Sequence, residues 1–147
     1  MSSPAELSAS ELPMDSTLTG PVLIIGSGLL GASIGLGLRA AGCEDVYVQD
    51  ISPTAEAVAQ DIGAGTSIST LSEEERAALA PQLVVVAAPP DSAGAVCARA
   101  LNSYAPRPEA GYPGAVVTDV ASVKVQPLAD VLASGADASR YVGSHPM

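Results

Sequence analysis

Gly26-Ser27-Gly28-Leu29-Leu30-Gly31 sets three glycines in the spacing GxGxxG, directly after the apolar run Val22-Leu23-Ile24-Ile25. Each glycine answers a separate demand of a strand-to-helix turn built around phosphate. Gly26 permits the tight turn, Gly28 lets the backbone approach without a Cβ in the way, and Gly31 lets the helix sit close on the sheet. The helix start then offers its free N–H groups to the anion. Asp50 lies 24 residues after Gly26, at the end of the next β-rich run. A carboxylate there can accept both hydroxyls of an adenosine ribose, and it repels a 2′-phosphate. No Arg or Lys stands among residues 51–57 to neutralise such a phosphate. The pattern predicts a dinucleotide site that prefers NAD to NADP, lined by Gly26, Ser27, Gly28, Leu29, Leu30, Gly31 and Asp50. A merely structural turn followed by a solvated acid leaves the coincidence of strand, loop, helix and acid without a reason.

Elements of a particular kind must position such a loop. Residues 22–25 form a short continuous apolar run, as expected of a strand buried on both faces. A helix over 29–41 follows, ending where Gly42 can supply a left-handed cap. A second strand over 45–49 leads to Ser52-Pro53, an N-cap with proline at the first helical position, and a helix through 60. Residues 64–70 hold a short third strand, and the acids of Ser72-Glu73-Glu74-Glu75 favour a short helix over 72–80. A fully apolar strand over 83–87 is closed by Pro89-Pro90, and Asp91 or Ser92 caps a helix through 101. A strand over 115–119, a helix over 125–133 and a last strand over 140–144 complete the series. Apolar strands alternating with amphipathic helices predict an α/β domain with a doubly wound, mostly parallel sheet of the Rossmann type. Residues 1–19 mix Ser, Pro, Glu and Asp without periodicity and read as a disordered acidic tail, with order beginning at Pro21. Residues 20–147 then form the dinucleotide-binding domain.

Composition narrows the function classes. The 147 residues carry six basic and sixteen acidic side chains, a net charge of −10, with no Lys/Arg cluster. That excludes the basic footprint of a nucleic-acid or anionic-membrane surface. No apolar run reaches the ~18 residues a membrane helix needs. The first residues lack both the basic and the apolar parts of a secretory signal. Trp and Phe are absent and only four Tyr occur, so stacking platforms for bases are missing and the core must be Ala, Val, Leu and Ile. Cys43 and Cys97 lie far apart without CxxC or zinc spacing, which suits reduced fillers in a cytoplasmic protein and no metal site.

Ligands of such sheets lie beyond the carboxyl ends of the strands. Three segments fall there: Ala88-Pro89-Pro90-Asp91, then Thr118-Asp119-Val120-Ala121-Ser122-Val123-Lys124, then Gly143-Ser144-His145-Pro146-Met147. Ala88 and Pro89 join the cofactor set, while the other two bring a hydroxyl, the only Lys and the only His to one crevice. Taken singly, Ser122 is an ordinary helix cap, Lys124 an ordinary solvated lysine, and Thr118 and Asp119 shape their loop.

The runs VLIIGSGLLGASIGLGLR, VVVAAPPD, VTDVASVK and VGSHPM, in this order, resemble the N-terminal half of the prephenate dehydrogenase family, which includes arogenate dehydrogenases. The likeness covers residues 21–147. It implies NAD-dependent oxidative decarboxylation of prephenate to 4-hydroxyphenylpyruvate on the route to tyrosine. It maps the hydrogen-bond acceptor for the C4 hydroxyl onto His145, and the residue holding that hydroxyl and the His onto Ser122. A neutral imidazole with a pKa near ~6.5 suits a carbinol proton that becomes acidic as hydride leaves. The family continues past this point with a helical domain that dimerises and binds the substrate carboxylates. No arginine here sits convincingly among the motifs, so these 147 residues by themselves are expected to bind NAD and to turn over prephenate little or not at all. A homodimer is expected of the longer protein only. Arogenate as substrate, another small hydroxy acid or imine, and a stand-alone non-catalytic dinucleotide-binding module remain open alternatives.

Overall fold

The structure is a computed structural model that describes residues 18–121 and 125–144. Six strands form one all-parallel sheet in the order β3-β2-β1-β4-β5-β6. They are β1 (Val22–Ile25), β2 (Val46–Gln49), β3 (Thr66–Ser67), β4 (Leu83–Val86), β5 (Val116–Asp119) and β6 (Tyr141–Gly143). The helices α1 (Leu29–Ala40), α2 (Pro53–Asp61), α3 (Glu73–Ala78), α4 (Pro90–Ser103) and α5 (Val125–Ala133) connect them. The doubly wound α/β fold expected from the apolar strands is therefore present, with every strand pair parallel.

Strand alternation divides the core into two layers. Val22 and Ile24 of β1 pack with Val46, Val48, Ala32, Ala59 and Val85 on one face. Leu23 of β1 packs with Val84, Val86, Val117, Cys97, Leu101 and Val131 on the other. A strand whose two faces are both covered has no solvent side, so its sequence shows no polar alternation. The absence of Phe and Trp is compensated by small residues that let the layers close up. A Cβ on Gly94 of α4 would lie 2.5 Å from the Cβ of Asp130 of α5.

Local signals set most boundaries. The Ser52 hydroxyl accepts from the Ala55 N–H at 3.2 Å with Pro53 first in the helix, as the sequence predicted. Ser72 and Glu75 form a reciprocal capping box at the start of α3. Gly42 closes α1 with φ +99°. Helices α3 and α4 end two residues from the expected positions, at Ala78 and Ser103, and three further boundaries differ from the reading of the sequence. Helix α4 opens at Pro90, with Pro89 as its cap, rather than at Asp91 or Ser92. Proline has no N–H to satisfy and a φ already set for the first helical position. The third strand shrinks to two residues before a 3-10 turn over Ile68–Thr70. Before β1, the Thr19 and Gly20 amides donate to the Gln82 side chain at 3.1 and 2.8 Å, so the chain is anchored ahead of Pro21. Residues 1–17, most of the expected acidic tail, lie outside the described residues.

Arg140 ties the far end of the domain together. Its guanidinium donates to the carbonyls of Leu101 and Ala115 at 2.8 Å and of Tyr104 at 3.2 Å. The last carbonyls of a helix lack intrahelical partners, so this cation both satisfies them and favours the negative end of α4.

Two glycines of α1 give opposite expectations on substitution. A Cβ on Gly35 would come within 2.3 Å of the Ala64 carbonyl oxygen, whereas one on Gly37 meets nothing within 4 Å. Gly37→Ala should raise stability by about 0.5–1 kcal/mol through helix propensity alone. Gly35→Ala should lower it by about 1–3 kcal/mol despite the same propensity gain, because the clash is with backbone. Urea denaturation of the two variants checks the pair. Equal behaviour would mean that α1 does not rest on the segment before β3 as described.

Candidate functional site

The sheet reverses its winding between β1 and β4, and a cleft of about 1160 Å³ opens there. Its base is the glycine turn. Gly26 has φ +99°, and a Cβ on it would stand 2.7 Å from the Ala87 carbonyl oxygen, so both conformation and space require glycine. A Cβ on Gly31 would lie 1.8 Å from the Gly26 carbonyl oxygen. The closest approach is thus between the helix and its own turn, as well as to Ile24 of the sheet beneath. Gly28 is the contrast, with nothing within 4 Å of its missing side chain. It caps α1 without any side-chain acceptor, and the first bond of the helix runs from the Ala32 N–H to the Gly28 carbonyl. The amides before Ala32 have no carbonyl a turn earlier to accept them and open onto the cleft. Leu29 and Leu30 line the same cleft, and Ala88 and Pro89 face them across it. Ser27 is buried behind the turn.

Asp50 stands on the opposite rim, pinned from both sides. Its Oδ2 accepts from the Ser27 N–H at 2.7 Å and the Ser27 hydroxyl at 3.1 Å, and its Oδ1 accepts from the Ser52 N–H at 2.8 Å. Burial raises its pKa, but the donors of Ser27 and Ser52 outweigh it and the net shift is downward. A carboxylate offers about four acceptor sites, and three are taken by the chain itself. One site remains, and rotation of the Ser27 hydroxyl frees a second. That modifies the expectation of a bare carboxylate waiting for two hydroxyls.

Behind Asp50 lies an acid that the reading of motifs missed. Glu56 is buried, and its carboxylate takes the Asp50 N–H and the Ser69 N–H at 3.0 Å each, and the Ser67 hydroxyl. Here too burial raises the pKa, while the Ser67, Asp50 and Ser69 donors carry it below its ordinary value. The signal for it was weak: an acid in the first turn of α2 reads as a solvated dipole partner. Only its phase with Ala59, three residues on, marked it as inward-facing. Arg99 was missed as well. With Ser92, Val96 and Ser103 it forms the stripe of α4 that walls the cleft.

At the other end, Asp119 is fully buried. Its carboxylate accepts from the Tyr141 hydroxyl and from the Ala121 N–H at 3.0 Å, and its carbonyl accepts from the Ser144 N–H and hydroxyl at 3.0 and 2.7 Å. Burial, reinforced by Asp119, pushes the Tyr141 phenol well above its ordinary range, so it remains a donor. Asp119 therefore shapes the loop, as expected. Ser122, Lys124 and His145 lie outside the described residues, and the residues just before Ser122 and His145 are Ala121 and Ser144. Register ties both ends into one line. Gln49, Ile25, Val86, Asp119 and Gly143 are successive partners across five strands. Three strand spacings, about 14 Å, separate the glycine turn from the end of β6.

A parallel sheet of this order, with a glycine turn at the reversal and an acid closing the next strand, defines a Rossmann-type nucleotide-binding domain. Residues 34–147 match the family described as prephenate dehydrogenase, nucleotide-binding domain. The chain belongs to that family. It is 38% identical over 125 residues to NovF of Streptomyces niveus, named a probable prephenate dehydrogenase, covering 85% of this chain and 30% of that protein. The structure of prephenate dehydrogenase from Aquifex aeolicus in complex with hydroxyphenyl propionate and NAD+ superposes with a TM-score of 0.69 and 26% identity, over 90% of this chain and 43% of that one. A second Aquifex aeolicus prephenate dehydrogenase structure gives 0.66 and 27%, over 86% and 42%. The chain thus spans less than half the length of these relatives. Among the described residues no helix is long and apolar enough to cross a membrane.

The two acids beside the cleft imply an acid-sensitive rim. Both hold protons less readily folded than unfolded, so their stabilisation is complete above their ordinary values of 3.8 and 4.5. It is lost as pH falls through their lowered folded values. Glu56→Gln should cost about 1–3 kcal/mol at pH 7, since an amide NH2 then faces a donor in a buried site. It should also flatten the acid limb of the stability curve. Denaturant midpoints between pH 3 and 7 measure both effects, and an unchanged acid limb would remove Glu56 from this account.

Proposed function

We propose that this chain is the cofactor-binding part of an NAD-dependent prephenate dehydrogenase, which converts prephenate oxidatively to 4-hydroxyphenylpyruvate and carbon dioxide. Arogenate is the alternative substrate. The observation that carries the reading is the single register row that joins Asp50 and the glycine turn to the ends of β5 and β6. The cofactor half and the substrate half of a dehydrogenase site must open onto one edge of the sheet. Further support comes from the Aquifex relative, which was solved with NAD+ and a hydroxyphenyl acid.

The residues present fit a dinucleotide. Gly28 leaves space beside it, α1 turns its free amides that way, and Asp50 supplies a carboxylate kept charged by its donors. Gly26, Gly28, Leu29, Leu30 and Gly31 would hold the pyrophosphate, Ser27 would fix Asp50 for the ribose, and Ala88 and Pro89 would flank the nicotinamide side. When bound, the nicotinamide supplies a hydride acceptor for the C4 carbinol. His145 would accept the hydroxyl proton, and Ser122, which can donate and accept at once, would orient that hydroxyl and the imidazole. Asp119 would steady the chain next to them through its bonds to the Ala121 and Ser144 amides. The substrate carboxylates and dimer contacts are assigned to a helical part of a longer protein. A cytoplasmic setting accords with Cys43 and Cys97, which are not joined in a disulfide.

Calorimetric titration with NAD and NADP tests the cofactor half. Saturable NAD binding with much weaker NADP binding is expected. Asp50→Ala should lose about 1.5–3 kcal/mol, ten- to a hundredfold, of NAD affinity. Equal affinity for both cofactors would remove the role given to Asp50. In the longer protein, His145→Asn should cut prephenate turnover by about 10²–10⁴ while NAD affinity stays within twofold. Survival of turnover would show that His145 is not the base.

A further inference from the structure

At the amino ends of β4 and β5, away from the glycine turn, a second cavity of about 400 Å³ opens between the ends of α3 and α4. Arg76 and Arg107 both line it, together with Asn102, Ser103 and Tyr104. We propose that this cavity binds a small doubly charged oxyanion, phosphate or a dicarboxylate, between the two guanidinium groups. The proposal stands apart from the reading of the cofactor cleft and does not depend on it.

Three observations carry it. The chain has five arginines and a net charge of −10, yet two of the five line one cavity. Neither makes an ion pair with a carboxylate among the described residues, and the Arg76 side chain makes no hydrogen bond there. The acids of α3 lie in its first turn, where Glu75 reaches back to the Ser72 N–H at 2.8 Å. Like charges beside one cavity repel each other, and an anion between them removes that cost.

Arg107 is also held in advance. Its Nη1 and Nη2 donate to the Ala77 and Leu79 carbonyls at 3.4 Å each, and its Cζ lies 4.8 Å from the centre of the Tyr112 ring. The Tyr112 hydroxyl is fixed in turn by the Pro81 carbonyl at 2.7 Å. These bonds take two of the five N–H groups of a guanidinium and leave three. A planar fork already fixed in place loses little freedom when it binds a carboxylate or phosphate. Finally, no Asp or Glu among the described residues lines the cavity, whereas Asn102 and Ser103 add an amide and a hydroxyl.

Size and position separate this cavity from the cofactor cleft. A volume of about 400 Å³ admits phosphate or a short dicarboxylate and is small for a dinucleotide. The 14 residues of α4 run from Pro90 to Ser103, which sets its two ends about 20 Å apart. An anion beside Arg107 therefore does not compete for the amides of the glycine turn, although Ser103 and Tyr104 also close the far end of the cleft.

Calorimetric titration at neutral pH with inorganic phosphate and, separately, malonate tests the assignment, with sodium chloride holding the ionic strength constant. Saturable binding with a Kd of about 0.1–10 mM is expected for at least one of the two. Arg76→Gln should weaken it about tenfold or more. That side chain is exposed and unpaired, so the melting temperature without anion should remain at the parent value. Arg107→Lys keeps the charge but loses the fork, and should weaken binding as well. A response to phosphate alone would assign a tetrahedral anion and one to malonate alone a dicarboxylate, and either upholds the site. Undiminished affinity in Arg76→Gln would place the anion elsewhere, the glycine turn included, and overturn the proposal. So would the lack of saturable binding of either anion up to about 50 mM.

Discussion

The carbonyl oxygen of Gly26 occupies the space in which a side chain on Gly31 would begin, 1.8 Å from that missing Cβ. That contact lets α1 start immediately above β1, and much else follows from it. With the helix so close, its first amides open onto the cleft rather than onto solvent at the side of the sheet. Gly26 must then turn with positive φ against the Ala87 carbonyl, which fixes the end of β1 against the end of β4. The cleft exists because these two strands send their connections to opposite faces, and the glycines keep its base free of side chains.

Around that base the domain holds its acids with donors rather than with cations. Asp50 is stabilised by two backbone amides and a hydroxyl, and Glu56 by two amides and a hydroxyl. A chain with six basic residues has few cations to spend on buried carboxylates. Oriented N–H groups serve instead, and they cost little because each amide needs an acceptor in any case. The two acids are also linked, since the Asp50 N–H is one of the donors to Glu56. The position of the rim carboxylate therefore depends on α2 and on the turn after β3 as well as on β2.

The opposite end of the row is built by different means. Asp119 and Tyr141 pair across β5 and β6, and Ser144 closes back onto the Asp119 carbonyl. Arg140, one residue earlier, clamps the last turn of α4 to the start of β5. A short edge strand of three residues would hold its register weakly by backbone bonds alone. These side chains fix it, and with it the two chain segments that leave the sheet beside each other at Ala121 and Ser144.

Local pattern determined the elements. Apolar runs without polar alternation gave strands covered on both faces, and Ser52-Pro53, the acids after Ser72, and Gly42 marked helix ends within one or two residues. GxGxxG with Asp50 pointed to the nucleotide-binding cleft, because those features depend on spacing along a single βαβ unit. Proline at Pro90 moved the start of α4, a competition between two capping rules that sequence alone left undecided. What depended on distant partners was not legible. Glu56 reads as a solvated first-turn acid until Ser67 and Ser69 are folded against it, and Arg99 reads as one more helix-surface cation until the cleft forms beside α4. Arg140 likewise gains its role only when Leu101 and Ala115, some 39 and 25 positions away, reach its guanidinium. The sequence by itself determined the strands, the glycine turn and the family to which they belong, since each is encoded within a few neighbouring residues. Only the tertiary structure decided which polar side chains are buried and which face the cleft, because burial is a property of the surfaces that meet.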